Sequence, residues 1–279
     1  MVSVLLLVFA IGARASWQDA TYLFRRPGEL VRAVLAINIL MPLFAVGLIL
    51  LFDFSPPVKI ALVAMAVSPI PPLLPSKLMK SGGTVSYSVG LLIAAGILSI
   101  ITVPVSMEIL ERVFNLPLQM TASSVASTVA IGILIPTALG LLAHHFVPAL
   151  AERVSPIISK VAGIGLLASL LAILISTAPA IWTLIGNGTG IAFALFAIAG
   201  LAIGHFLGGP VPENRVALAI STASRHPGIA IGIASINFPN EKLVLASILL
   251  YLVVNAIVSI PYLSWVKRQV PAAEIQPEE

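Results

Sequence analysis

No cysteine occurs among the 279 residues, which excludes disulfides, thiolate metal sites and cysteine nucleophiles. Charge is scarce as well. Only 9% of the residues are Asp, Glu, Lys or Arg, against about 25% in ordinary soluble domains. With 59% hydrophobic residues spread along the whole chain, this composition is that of one polytopic, all-α integral membrane domain without a soluble appendage. Acid at membrane depth is missing altogether. Asp19, Glu29, Asp53, Glu108, Glu111, Glu152, Glu213, Glu241, Glu274, Glu278 and Glu279 all fall in expected loops, helix ends or the tail. Ion-coupled pumps and symporters commonly use a buried carboxylate, and none is expected here. The basic residues are scattered among short loops, which gives no nucleic-acid signal. No histidine has a second ligand at metal spacing on one helix, so no metal site is expected. No nucleophile–base pair lies within the apolar runs, so an enzyme is not expected either.

Nine hydrophobic segments are present, at about 1–13, 30–52, 57–79, 85–107, 124–146, 155–177, 180–206, 214–236 and 242–265. Each but the first has roughly the 20 residues a span needs. The first lacks the basic n-region of a secretory signal. It reads as a first membrane helix that is short or clipped at its outer end, with a mis-assigned start as the alternative. Residues 148–156 separate two halves, and the polar tail 271–279 is expected to be disordered.

Basic residues orient the bundle. Arg14, Arg25, Arg26, Arg32, Lys77, Lys80, Arg153, Lys160, Arg215, Lys267 and Arg268 fall on one side, eleven in all; Lys59, Arg112 and Lys242 fall on the other, three in all. The positive-inside rule then puts the N-terminus outside and the C-terminus in the cytoplasm. An integral protein of a bacterial inner membrane is the expected setting.

Residues 221–228 read Ser-Thr-Ala-Ser-Arg-His-Pro-Gly inside an otherwise apolar segment. An ionisable group at that depth is costly and needs a partner. Pro227 and Gly228 break the helix, and broken backbone at that depth is tolerated only inside protein or beside a cavity. Alternatively, Arg225 snorkels to a membrane face and Pro227 is a simple kink. An echo stands in the first half, where Pro69, Pro71, Pro72 and Pro75 interrupt the third segment. Paired interrupted helices point to a transporter built from inverted repeats. Asn38, four residues before Pro42, is either functional or an ordinary interhelical hydrogen-bonding group. Ser88 reads as bonding its own helix.

In its order of motifs the chain resembles the bile acid:sodium symporter family. The residues that carry the likeness are Leu23-Phe24-Arg25-Arg26-Pro27, Ala36-Ile37-Asn38-Ile39-Leu40-Met41-Pro42, the proline-rich break at 69–75, the segment 85–104 and Pro227-Gly228-Ile229-Ala230. The resemblance implies inverted five-helix repeats with the first helix absent, giving nine spans. It implies panel helices 1–13, 124–146 and 155–177, and core helices within 30–107 and 180–265. Two broken helices, the third and eighth segments, would cross at the binding site, and transport would proceed by alternating access.

The resemblance also implies a sodium-ligand set that this sequence largely lacks. Ser221 stands at the family's acidic position, Arg225 at a glutamine and His226 at an asparagine. Leu74-Pro75 replaces a serine-asparagine pair, Ile37 a glutamine and Leu92 a threonine, while Ser88 keeps a serine. Serine for carboxylate plus arginine for glutamine changes the local charge by about two units at neutral pH. A tethered guanidinium could therefore fill the space of a bound cation, or attract an anionic substrate. His226 is either a proton-responsive group or a histidine bonded to backbone at the helix break. The expected protein is a secondary carrier of a small organic anion, with Ser221, Ser224, Arg225, His226, Asn38 and Ser88 lining its site. Transport independent of sodium or weakly coupled to it is expected, with uniport, exchange or proton coupling fitting the residues better, and membrane lipid is the surrounding partner. A channel-like or receptor-like protein that keeps the fold is the alternative. Arsenite transport is disfavoured, because the related permeases rely on a membrane cysteine.

Overall fold

The computed structural model describes residues 2–71, 84–114, 121–186 and 188–269. Pro72, Pro75, Leu74, Lys77, Lys80 and the tail 271–279 lie outside them. The described chain folds into ten principal helices, and no strand is found among the described residues. We number them α1 (Val2–Gly12), α2 (Pro27–Leu51), α3 (Pro56–Val67), α4 (Val85–Phe114), α5 (Ala122–Phe146), α6 (Pro148–Leu184), α7 (Thr189–Leu207), α8 (Pro212–Ala223), α9 (Pro227–Asn237) and α10 (Val244–Gln269). Six of these, α2, α4, α5, α6, α7 and α10, are long and apolar enough to cross a membrane. The protein is an integral membrane protein.

Proline placement explains most boundaries. Pro27, Pro56, Pro148, Pro212 and Pro227 each stand in the first turn of a helix, where the missing N–H would have no helical partner anyway. The residue before a proline is steered away from the helical region. That rule ends α3 at Ser68 (ψ 145°) and keeps His226 extended between α8 and α9 (ψ 101°). The short connection before α2 is tied down differently. A one-turn helix, Trp17–Ala20, is closed by a capping box between Ser16 and Asp19, and the Ser86 hydroxyl donates to the Asp19 carboxylate.

One boundary differs from the sequence reading. A break was expected at 148–156, and a gap before the segment at 180–206. Instead α6 runs unbroken through Pro156 and Pro179 over 37 residues, about 56 Å at 1.5 Å per residue. A lone interior proline forfeits one hydrogen bond and need not end a helix whose neighbours hold it. Only Val147 separates α5 from α6. Beyond α6, Gly186 and Gly188 take positive φ of 131° and 77°.

Small residues let the helices approach closely. On α7, Gly200, Gly204 and Gly208 recur every fourth residue and face Ala223, Ala219 and Arg215 of the antiparallel α8. A Cβ on Gly204 would lie 2.4 Å from the Ala219 Cα, so only glycine fits. On the other side, Gly12 of α1 meets Thr137 of α5, and Gly140 of α5 meets Phe9 of α1, with Cβ clearances of 2.4 and 2.3 Å. Helix α1 packs on α5 and α6, while α7, α8, α10 and α3 form a second group. Small faces of this kind are how helices associate where lipid is as apolar as leucine.

Candidate functional site

The site is built where two helices stop. Helix α3 ends at Ser68 and α8 ends at Ser224, both capped by extended residues. The two breaks touch directly: the His226 N–H donates to the Pro69 carbonyl at 2.8 Å. Arg225 lies between them. It is 1% exposed and is the largest fully buried side chain. Its Nη1 donates to the Ser68 carbonyl and its Nη2 to the Ile37 carbonyl, both at 3.1 Å. Nε has no hydrogen-bond partner among the described residues. No carboxylate forms an ion pair with it among the described residues. The reading in which it snorkels to a membrane face is therefore overturned.

Each acceptor has a local cause. Ser68 is the C-cap of α3, so its carbonyl is a helix-end group with no intrahelical donor. Ile37 lies within a π-helical turn, Leu35–Leu40, in the middle of α2. Pro42, just beyond, has no N–H. It can reach neither Asn38 at α spacing nor Ile37 at π spacing, so a carbonyl on this turn is left for another donor. π-Turns of this kind are frequent at functional sites. The ends of α3 and α8 also carry the negative pole of the helix dipole, so the guanidinium sits in a field that favours a cation.

Tyr251 of α10 completes the crossing. It is fully buried, its hydroxyl donates to the Ala223 carbonyl at the end of α8, and its ring packs edge-on against Phe193 and Phe196, with centroids 5.8 and 5.4 Å away. Nothing in the sequence reading pointed to it. A tyrosine buried opposite a helix break, with a hydroxyl in need of a partner, was the available signal.

The other expected site residues divide. His226 stays at the crossing. Its Nδ1 accepts from the Ile229 N–H at 3.3 Å, so it serves as the N-cap of α9. Pro227 and Gly228 follow in the first turn of α9, and Pro69 and Pro71 lie in the irregular segment leaving α3. Ser224 is buried and caps α8. Ser221 turns back on its own helix, donating to the Ala217 carbonyl at 2.6 Å. Ser88 does the same toward the Thr84 carbonyl at 2.7 Å. Asn38, beside Ile37 in sequence, donates across to Thr102 of α4 at 3.1 Å. The Ile37 and Leu92 side chains are buried with Ile70, Leu218 and Ile220 in one apolar cluster. Both positions are thus filled by apolar packing. Among the described residues no group of three His, Cys, Asp or Glu could hold a metal ion.

With this geometry in view, the comparisons with known proteins are informative. The family model described as "Sodium Bile acid symporter family" matches residues 1–184, about two thirds of the chain. The chain belongs to this family. No curated protein matches it. The match covers α1–α6, with the π-turn and the first helix break, and stops before α7. Arg225 and the second break stand beyond it.

Proposed function

We propose that the protein is a secondary transporter of a small organic anion, working by alternating access without a requirement for sodium, in which Arg225 stands in for a bound cation. Family membership supports membrane transport. The observation that carries the rest is the double hydrogen bond from Arg225 to Ser68 and Ile37. A buried cation is already supplied by the chain, on backbone carbonyls at the end of one broken helix and on a π-turn. Both Nη groups are engaged and the side chain is closed off. This favours the cation-replacing role over direct capture of substrate anion. His226, as the cap of α9, favours positioning over proton carriage.

The nine-span reading, with the N-terminus outside and the C-terminus in the cytoplasm of an inner membrane, is part of the same proposal. It counts α1, α3 and the α8–α9 pair with the six long helices. Packing of α1 on α5 and α6 supports a panel that moves against the remaining core. Substrate access has a candidate in an apolar cavity of about 300 Å³ between α2, α3, α4 and α9. Lys59 and Glu241 line it among Ile49, Val63, Met107 and Ile233. That volume is at the lower end of the range for small-molecule sites.

Counterflow in proteoliposomes tests the proposal. Labelled organic carboxylates, chosen by the thermal stabilisation they give the purified protein, are offered to vesicles preloaded with unlabelled compound. The proposal predicts trans-stimulated uptake that is the same in sodium and in choline buffers. Uptake that requires sodium, or flux without trans-stimulation, refutes it; the second result would mark a channel.

A further inference from the structure

A second polar site lies at the basic end of the bundle, away from the crossing. Arg32 of α2 and Arg215 of α8 converge there on Gly209. Arg215 Nε donates to the Gly209 carbonyl. A Cβ on Gly209 would lie 2.5 Å from Arg32 Nη1, and its φ of 85° is one that glycine adopts freely. Together with His205, Phe206 and Pro210 these residues line a cavity of about 470 Å³. Both arginines are half-buried, and among the described residues neither has a carboxylate within ion-pair distance. The nearby acid, Glu29, is engaged elsewhere, accepting from Asn214 at 3.3 Å and from Arg26 at 3.1 Å. Two guanidinium groups on one glycine, without a counter-charge, call for an anion.

The surroundings say which kind. His205 Nδ1 is 2.9 Å from the Tyr262 hydroxyl, and its ring lies tilted beside Trp265, with centroids 5.4 Å apart. Tyr and Trp gather at the membrane–water boundary, which places the cavity at headgroup depth. The flanking apolar side chains are open to the surroundings: Phe206 is 84% exposed, Val31 63% and Trp265 44%. A free inorganic anion would have no use for that apolar rim, whereas acyl chains would lie along it. Arginine forks suit phosphate geometry, and basic pockets between membrane helices take anionic headgroups.

We infer that Arg32 and Arg215 form a binding site for the phosphodiester headgroup of an anionic phospholipid, with its chains against Val31, Phe206 and Trp265. Native mass spectrometry of the detergent-purified full chain, given equimolar phosphatidylglycerol and phosphatidylcholine, tests this. The site predicts that phosphatidylglycerol is retained with roughly tenfold preference. The double variant Arg32→Gln/Arg215→Gln should lose that preference, and Arg153→Gln, on α6, should keep it. Excess inorganic phosphate should not displace the lipid. Equal retention of the two lipids by the wild-type protein overturns the site, and that comparison needs no variant to fold. Undiminished preference in the double variant overturns it too. Displacement by inorganic phosphate would reassign the cavity to a free anion and overturn the lipid.

Discussion

Arg225→Ala removes the guanidinium between the two helix breaks and leaves the Ser68 and Ile37 carbonyls without their donor. An unsatisfied buried acceptor costs about 1–3 kcal/mol, so the two together cost roughly 2–6 kcal/mol. The variant no longer bears the burial cost of the guanidinium, which for an ion in protein is several kcal/mol on its own. Helix-end attraction of up to about 2 kcal/mol is lost as well. Mid-range acceptor costs of about 4 kcal/mol with about 2 kcal/mol of helix-end attraction, set against about 3–4 kcal/mol of relieved burial, leave a net loss of about 2–3 kcal/mol. The more diagnostic consequence is rescue. The vacated space is shaped for a guanidinium, so free guanidinium at ten times its dissociation constant should return about 1.4 kcal/mol. At about 10 mM its denaturing action is below roughly 0.1 kcal/mol, so the two effects separate cleanly. The assay is the thermal midpoint of the detergent-solubilised protein with guanidinium, methylguanidinium or sodium chloride. A lowered midpoint that guanidinium raises in the variant and leaves alone in the wild type is expected. A variant as stable as the wild type, or one lowered and indifferent to guanidinium, would refute the reasoning.

Further substitutions at His226, Gly204 and Asp19 probe the supporting structure. His226→Asn keeps a side-chain acceptor for the Ile229 N–H and should preserve uptake and its pH profile, whereas His226→Ala should cost about 1 kcal/mol of stability through the lost cap; an altered pH profile in the asparagine variant would make His226 a proton carrier instead. Gly204→Ala should destabilise by about 1–3 kcal/mol, because its Cβ meets the Ala219 backbone, while Gly47→Ala, with nothing within 4 Å, should be neutral or stabilising in the same thermal assay. Burial pushes the Asp19 carboxyl up, but hydrogen bonds from Ser86 and Ser16 outweigh it and hold it below the usual carboxylate range. A depressed folded value means the contribution is present above the unfolded value of about 3.9 and is lost as pH falls through the folded one. The protection factors of amides around Ser86 should therefore be constant from neutral pH down to about pH 4 and fall below it, and Asp19→Asn should show lower protection above about pH 4, with the difference closing as the wild-type carboxyl protonates.

The helix breaks were legible because proline acts locally. Ser68-Pro69 and His226-Pro227 each fix an extended residue, whatever surrounds them. That Arg225 stands at a helix break was legible for the same reason. Its partners were not, because they are backbone carbonyls, which the side-chain sequence does not advertise. The one available hint was Pro42, which frees a carbonyl on the turn that contains Ile37. Ser88 bonds its own helix, as its residue type led one to expect, and Ser221 does the same, since a buried hydroxyl readily finds the carbonyl four residues earlier. The extent of α6 was misjudged: a divide was placed at 148–156 and a segment end before 180, whereas the helix runs on through Pro156 and Pro179. The ladder Gly200, Gly204 and Gly208 stood in the sequence in plain four-residue spacing and went unused, although it sets how closely α8 is held.

The central claim is that the chain's own guanidinium takes the place of a transported or structural cation. Equilibrium binding of radiolabelled sodium to the purified wild-type protein tests it most directly. The account predicts no saturable sodium binding in the wild type, and weak saturable binding in Arg225→Ala, where Ser68 and Ile37 present free carbonyls. Saturable binding to the wild-type protein would contradict it.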